Sequence, residues 1–179
     1  MDIDVDAGGR LTWPGGRVRC ALGRRGVRCE KREGDGATPA GVFPLRRVLF
    51  RPDRRAAPRT GLPVGPLDPA QGWSDDPADP RYNRPVAAPH RFSHERLWRE
   101  DRLYDLIIVI GHNDDPVVPG HGSAVFIHIA GEDYAPTAGC VALAPSDLLA
   151  LLGDCHPGDR LVIRPGGPGL VAPGLIAIG

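Results

Sequence analysis

The sequence predicts a mainly β domain with one or two short helices. Three observations predict it. Apolar residues come in short runs such as Leu106–Ile110, without the long 3.6-residue period of a helical bundle. Between those runs are scattered 24 glycines and 20 prolines, which divide the chain with turns. Finally, 41% of the 179 residues are hydrophobic, enough to bury a core, so the glycine and proline content signals turns and not disorder. The length fits a single domain spanning 1–179.

Residues 17–30, RVRCALGRRGVRCE, place two short extended stretches on either side of Gly23-Arg24-Arg25-Gly26, the pattern of a β-hairpin with a glycine-permissive turn. Gly34, Gly36 and Pro39 mark a loop, and residues 42–50 read as a strand whose Pro44 belongs at an edge or a bulge. Residues 51–90 hold nine prolines and little periodicity, and they read as a long irregular insertion. Loops of that length are usually functional or mobile, and this one is placed to act as a lid. Ser93 is placed to cap a short helix running to Asp101, with Leu97 and Trp98 facing inward.

LYDLIIVIG reads as a buried central strand ended by Gly111, and residues 112–122 as a turn-rich loop. Residues 123–130, SAVFIHIA, form a strand with Ala124, Phe126, His128 and Ala130 on one face and Val125, Ile127 and Ile129 on the other. A further strand covers 140–143, and PSDLLALLG is a short helix with Pro145 at its start and Gly153 at its end. DRLVIR is the closing strand, followed by a Gly/Pro-rich tail over 165–179.

Lys and Arg number 22 and so do Asp and Glu, which leaves no broad electrostatic footprint for nucleic acid or anionic lipid. Only Lys31 is a lysine, a compositional bias without functional meaning by itself. The longest apolar run, Leu106–Ile110, is too short to span a bilayer, and MDIDVDAGGR lacks the apolar centre of a secretory leader. A soluble protein is expected. None of Cys20, Cys29, Cys140 and Cys155 has the spacing of a zinc knuckle or redox dithiol, while a Cys20–Cys29 bridge is open if the segments around them pair as strands.

The sharpest chemical feature is IHIAGEDYAPTAGCVAL, in which His128 on a strand is followed twelve residues later by Cys140. A thiol becomes a strong nucleophile as the thiolate, and an imidazole supplies the base that makes it one. Ala138 and Gly139 leave room for a substrate carbonyl near backbone N–H groups, as an oxyanion hole requires. The same residues also suit a buried core thiol beside a strand histidine, and chemistry alone leaves both readings open.

Thr137-Ala138-Gly139-Cys140-Val141, preceded by the strand histidine, resembles the active-site signature of the YkuD-type L,D-transpeptidases. A second element, Gly36-Ala37-Thr38-Pro39-Ala40-Gly41-Val42-Phe43, resembles that family's glycine, Thr-Pro and phenylalanine turn and strand. The two occur in the family's order about a hundred residues apart, and the likeness extends over roughly 15–165. The resemblance implies an L,D-transpeptidase-like β-sandwich that acts on peptidoglycan stem peptides as a monomer without metal or organic cofactor. It implies Cys140 as nucleophile, His128 as general base held by a backbone carbonyl, and Gly139 and Cys140 N–H groups as the oxyanion hole. Its donor would be a tetrapeptide containing meso-diaminopimelate and its acceptor an amine, giving 3→3 or 1→3 crosslinks. With water as acceptor the site would be an L,D-carboxypeptidase.

Three positions depart from the family pattern, since the glycine that often follows the base histidine is Ile129 here, and the second histidine and the arginine that often flank the cysteine are Ala138 and Ala142. Candidates to anchor substrate in their place are His112, Asn113, Tyr134, Arg32 and Arg84, together with Thr137 and Ala138. His112, Asp114, His121 and His128 also raise a zinc hydrolase, although they match no familiar ligand spacing. A non-catalytic peptidoglycan-binding domain is the other alternative. The family resemblance points to the periplasm or cell wall; the absence of a leader in this chain leaves the cytoplasm open.

Overall fold

Alternation begins with the first strand, where Ile3 and Val5 are fully buried between the aspartates of DIDVD. The computed structural model describes residues 1–166. Residues 167–179, most of the expected tail, lie outside the described residues. Strands β1 (Asp2–Asp6), β2 (Arg10–Trp13) and β3 (Gly16–Arg19) form an antiparallel meander. The short β4 (Val27–Arg28) pairs in parallel with β5 (Thr38–Pro39), and the long β6 (Gly41–Phe50) follows. Next come β7 (Val64–Pro66), β8 (Gln71–Ser74), β9 (Pro85–Ala87) and β10 (His94–Arg96). The chain continues through β11 (Leu106–Ile110), β12 (Phe126–Ile129), β13 (Val141–Leu143), helix α1 (Pro145–Asp154) and β14 (Arg160–Ile163).

The main sheet runs β13-β12-β11-β6-β14-β1-β2-β3, with β7 also paired to β6. It curls on itself. Ala21, just past β3, exchanges N–H···O bonds of 2.8 and 2.9 Å with Ala142 of β13, so the two ends of the sheet meet. Inward residues of both halves, among them Ile3, Leu11, Leu45, Ile108, Ile127 and Leu161, share one core, as the layers of a sandwich do. Helix α1 closes that core with Leu148, Leu151 and Leu152, one face at helical spacing.

On the opposite face of β11 and β12 lies a second cluster, in which Leu49, Trp73, Leu97, Tyr104, Ile107 and Phe126 pack together. Its outer layer is the small antiparallel sheet β10-β8-β9. The segment expected to be an irregular insertion carries the short strands β7, β8 and β9 and packs inward through Leu67, Trp73, Tyr82, Asn83 and Val86, while most of its residues lie outside strands. The helix expected at 93–101 is absent. His94–Arg96 is extended and pairs with β8, and Leu97 is buried by donating its N–H to Gln71 O at 3.1 Å, so tertiary pairing overrides the local cap signal.

The hairpin expected over 17–30 is corrected in part. Gly26 N–H does reach Gly23 O at 2.8 Å, but the arms pair elsewhere: Ala21 and Gly23 with the 137–142 segment, and Val27–Arg28 with β5. The separated arms also leave Cys20 buried and Cys29 exposed, both as free thiols. Pro44 lies inside the sheet and not at an edge, since β6 has neighbours on both sides. The irregularity comes two residues later, where Arg46 is passed over in the pairing with β11. The strand expected over 123–130 is regular only over Phe126–Ile129, because Ala124 adopts a left-handed φ of 49°.

Candidate active site

Strands β12 and β13 are parallel neighbours, with His128 opposite Ala142. Alternation puts Cys140, two residues before Ala142, on the face that carries His128. Both line one cavity of about 500 Å³. Cys140 is 7% exposed and His128 5%. The His128 Nδ1–H donates to Ile129 O at 2.8 Å. A carbonyl can only accept, so Nδ1 carries the hydrogen and the neutral ring keeps Nε2 bare. The Cys140 thiol donates to Ala124 O and its sulfur accepts from Phe126 N–H, each at 3.3 Å.

Burial sets the protonation of both groups. It pushes the Cys140 thiol up to about 12, helped by the negative charge of Glu95 and opposed by the Phe126 N–H, Tyr104 and Lys31. It takes His128 down to about 4, against the pull of the Ile129 carbonyl and with the help of the Arg99 charge. The resting pair is a neutral thiol and a neutral imidazole. Tyr104 stands edge-on to the His128 ring at 5.1 Å and donates its hydroxyl to Glu95 Oε1 at 2.5 Å.

The loop before Cys140 is braced by Thr137. Its hydroxyl donates to Cys140 O at 2.7 Å and accepts the Gly139 N–H at 3.1 Å. Gly139 N–H is thus engaged within its own loop, which corrects its expected part in an oxyanion hole. Gly139 has φ 149°, and a Cβ there would lie 2.8 Å from Ala37 O. The two sequence motifs therefore touch: the first supplies the backbone wall against which the glycine of the second is pressed. Thr38 fixes that wall by accepting Gly23 N–H on its hydroxyl at 2.8 Å.

Thr137, Ala138 and Gly139 line the Cys140 cavity, but Arg32, His112, Asn113, Arg84 and Tyr134, the other residues expected to hold substrate, do not. Arg32, His112 and Asn113 line a separate cavity of about 490 Å³ with Cys29 and His121. Arg84 lines a smaller one of about 160 Å³ and donates to Asp114 O at 2.8 Å. Tyr134 lies beneath Arg19, 4.5 Å from guanidinium carbon to ring centroid. His112 packs edge-on to Phe43 and donates Nε2–H to His121 O at 3.1 Å, and burial takes it down to about 4. Asn113 spends its side chain closing its own loop onto Val118 and Gly122.

The cations that do line the Cys140 cavity are Arg24, Lys31 and Arg99. Arg24 is held there by its backbone, whose N–H donates to Thr137 O at 3.0 Å. Lys31 Nζ donates to Asp35 Oδ1 at 2.6 Å and to Arg32 O at 2.7 Å, and the side chain also borders the second cavity. Three carboxylates line the cavity too. Glu95 is bound by Tyr104 and Glu33 by Ser123 Oγ at 2.6 Å, while Asp75 Oδ1 is buried without a partner among the described residues. Sequence reasoning missed these residues because segments far apart in the chain bring them together.

Three of the four groups raised as a zinc set are committed elsewhere: His112 to the His121 carbonyl, His128 to the Ile129 carbonyl and Asp114 to Arg46. Among the described residues, no three His, Cys, Asp or Glu side chains converge as a metal-ligand set.

A curled β-sheet that carries a thiol and an imidazole into one charged cavity has the layout that thiol-based acyl transfer needs. The model of the YkuD family, the L,D-transpeptidase catalytic domain, matches residues 2–163, and the chain belongs to that family. No curated protein and no solved structure matches the chain.

Proposed function

We propose that the protein is a cysteine L,D-transpeptidase that acts on peptidoglycan stem peptides. The observation that carries this reading is that Cys140 and His128, from neighbouring strands, line one cavity with the imidazole Nε2 bare. In the proposed reaction Cys140 Sγ attacks the carbonyl of meso-diaminopimelate at position three of a tetrapeptide donor, and the thiol proton passes to His128 Nε2. The Cys140 N–H faces the developing oxyanion. The bond to the terminal D-Ala breaks, its nitrogen takes the proton from His128, and a thioester remains. An acceptor amine then attacks that thioester, forming a 3→3 or 1→3 crosslink and returning the sulfur to the thiol. Because the resting pair is neutral, the proton moves as the bond forms, and no standing thiolate is exposed to oxidants.

Cations and carboxylates lining one cavity suit a substrate that carries both charges. Arg24 and Lys31 would meet its carboxylates, while Glu33, Asp75 and Glu95 would meet its ammonium group. The insertion contributes Asp75 to the wall, with Glu95, Arg99 and Tyr104 following it, so it would shape the acceptor side and limit water. This reading puts the protein in the periplasm or at the cell wall.

The test is mass spectrometry of purified disaccharide-tetrapeptide incubated with the wild-type protein and with Cys140→Ala. Loss of D-Ala with new dimers, absent in the variant, is expected, and fragmentation of the dimers distinguishes 3→3 from 1→3. Loss of D-Ala without dimers makes the protein an L,D-carboxypeptidase. Binding of the peptide without turnover in either sample makes it a binding domain.

A further inference from the structure

Asn83 has no part in the chemistry just proposed, yet it is only 4% exposed and its whole side chain is engaged. Its Oδ1 accepts from Trp73 Nε1 at 2.9 Å and from Ala124 N–H at 3.2 Å. Its Nδ2 donates to His112 O at 3.0 Å and to Asn113 O at 2.7 Å. A carboxamide offers two N–H donors and an oxygen with two lone pairs, so these four bonds saturate it. The partners belong to three stretches of chain: the insertion, the loop after β11 and the turn that enters β12.

Ala124 is the partner that matters. A left-handed φ in a residue other than glycine is strained and persists only where its surroundings over-determine it. Here the turn directs two backbone groups at one sulfur, the Ala124 carbonyl and, two residues on, the Phe126 N–H, both 3.3 Å from Cys140 Sγ. Trp73, which shares the Asn83 oxygen, also packs edge-on to Phe126 at 5.1 Å, so the insertion grips this turn at two points.

We infer that Asn83 is a positioning residue for the Cys140 thiol, holding the left-handed backbone at Ala124 that aims both of the sulfur's hydrogen-bond partners. The inference rests on the reading of Cys140 as nucleophile. Asn83 touches neither substrate nor sulfur, so it acts on turnover and not on substrate binding. A misplacement of about 1 Å far from the chemistry can cost on the order of 100-fold in rate.

The experiment compares the wild-type protein with Asn83→Ala, Asn83→Asp and Ala124→Gly. It measures thermal melting, kcat and KM for D-Ala release, and the pH profile of Cys140 alkylation by iodoacetamide, read by peptide mass. Asn83→Ala is expected to lose roughly 10- to 100-fold in kcat with KM changed less than about threefold, and to alter the alkylation profile. Asn83→Asp keeps the acceptor for Ala124 and Trp73 and should recover part of that loss. Ala124→Gly takes the left-handed φ at no steric cost, so it should melt no lower than wild type and, placed beside Asn83→Ala, should restore part of the lost kcat. If Asn83→Ala does not fold, Asn83→Asp, which loses both donors to His112 O and Asn113 O, carries the test. Wild-type kcat and a wild-type alkylation profile in folded Asn83→Ala, or in folded Asn83→Asp where Asn83→Ala does not fold, would overturn the inference. Failure of the nucleophile reading looks different: Cys140→Ala would go on releasing D-Ala, while the alkylation profile, which needs no peptidoglycan, would still report whether Asn83 holds the thiol.

Discussion

Gly139 shows how much one missing side chain can do. A Cβ added to it would stand 2.8 Å from the Ala37 carbonyl oxygen, closer than a side chain tolerates, and its φ of 149° is one that residues with side chains rarely adopt. Gly139→Ala should therefore destabilise the fold by about 1–3 kcal/mol and, by displacing Cys140, cut turnover by far more than the loss of folded protein explains. Urea titration alongside D-Ala release checks this. The residue was legible as part of a motif, and so were Cys140 and His128, because an alternating strand fixes which side chains share a face. The cations that line the cavity were not. Arg24 and Lys31 reach the cavity because a single bridge between Gly23 and Thr137 turns their segment towards it, and a bridge of one pair leaves no periodic trace.

Among the elements, those that bury a continuous run were readable and those held by long-range pairing were not. β11, β12 and α1 announce themselves through Leu106–Ile110, through alternation and through leucines at helical spacing. Strands β8, β9 and β10 have three or four residues each, with prolines and glycines among them, and exist because they pair with one another and cover the outer face of β11 and β12. Their stability is tertiary. Leu97→Ala, at a residue with no exposed surface, should cost about 2–5 kcal/mol. A helix would have hidden Leu97 on one face only; in the observed layer its loss should also speed proteolysis between β8 and β10, which limited digestion followed by mass spectrometry will show.

For the molecule as a whole, the buried titratable groups define a pH window. His112 and His128 fall from 6.5 in the unfolded chain to about 4 when folded, so between those values the unfolded state binds more protons and stability is lost as pH drops. Cys20, Cys140 and Cys155 are pushed by burial from 9.0 up to about 12. Above pH 9.0 the unfolded state therefore sheds protons that the folded state retains, and stability is lost as pH rises. The urea midpoint should stay near its maximum between about pH 6.5 and 9 and fall on either side. A maximum near pH 5 would show that the two histidines are not buried as neutral rings.

The parallel pairing of β1 with β14 gives this architecture a timetable. Asp2–Asp6 is made before the other strands of its sheet, yet its partner Arg160–Ile163 is made after all the other described strands. The β1–β2–β3 meander can form early by local turns, and β6, β11, β12 and β13 can associate with one another, but the two groups are joined by a full strand only through β14, the far ends meeting in the isolated bridge Ala21–Ala142. Contacts spanning that much chain are slow to form because the loop must close before any pairing rewards it. Until then the N-terminal meander waits with one side unpaired, an exposed edge open to wrong partners and to chaperones.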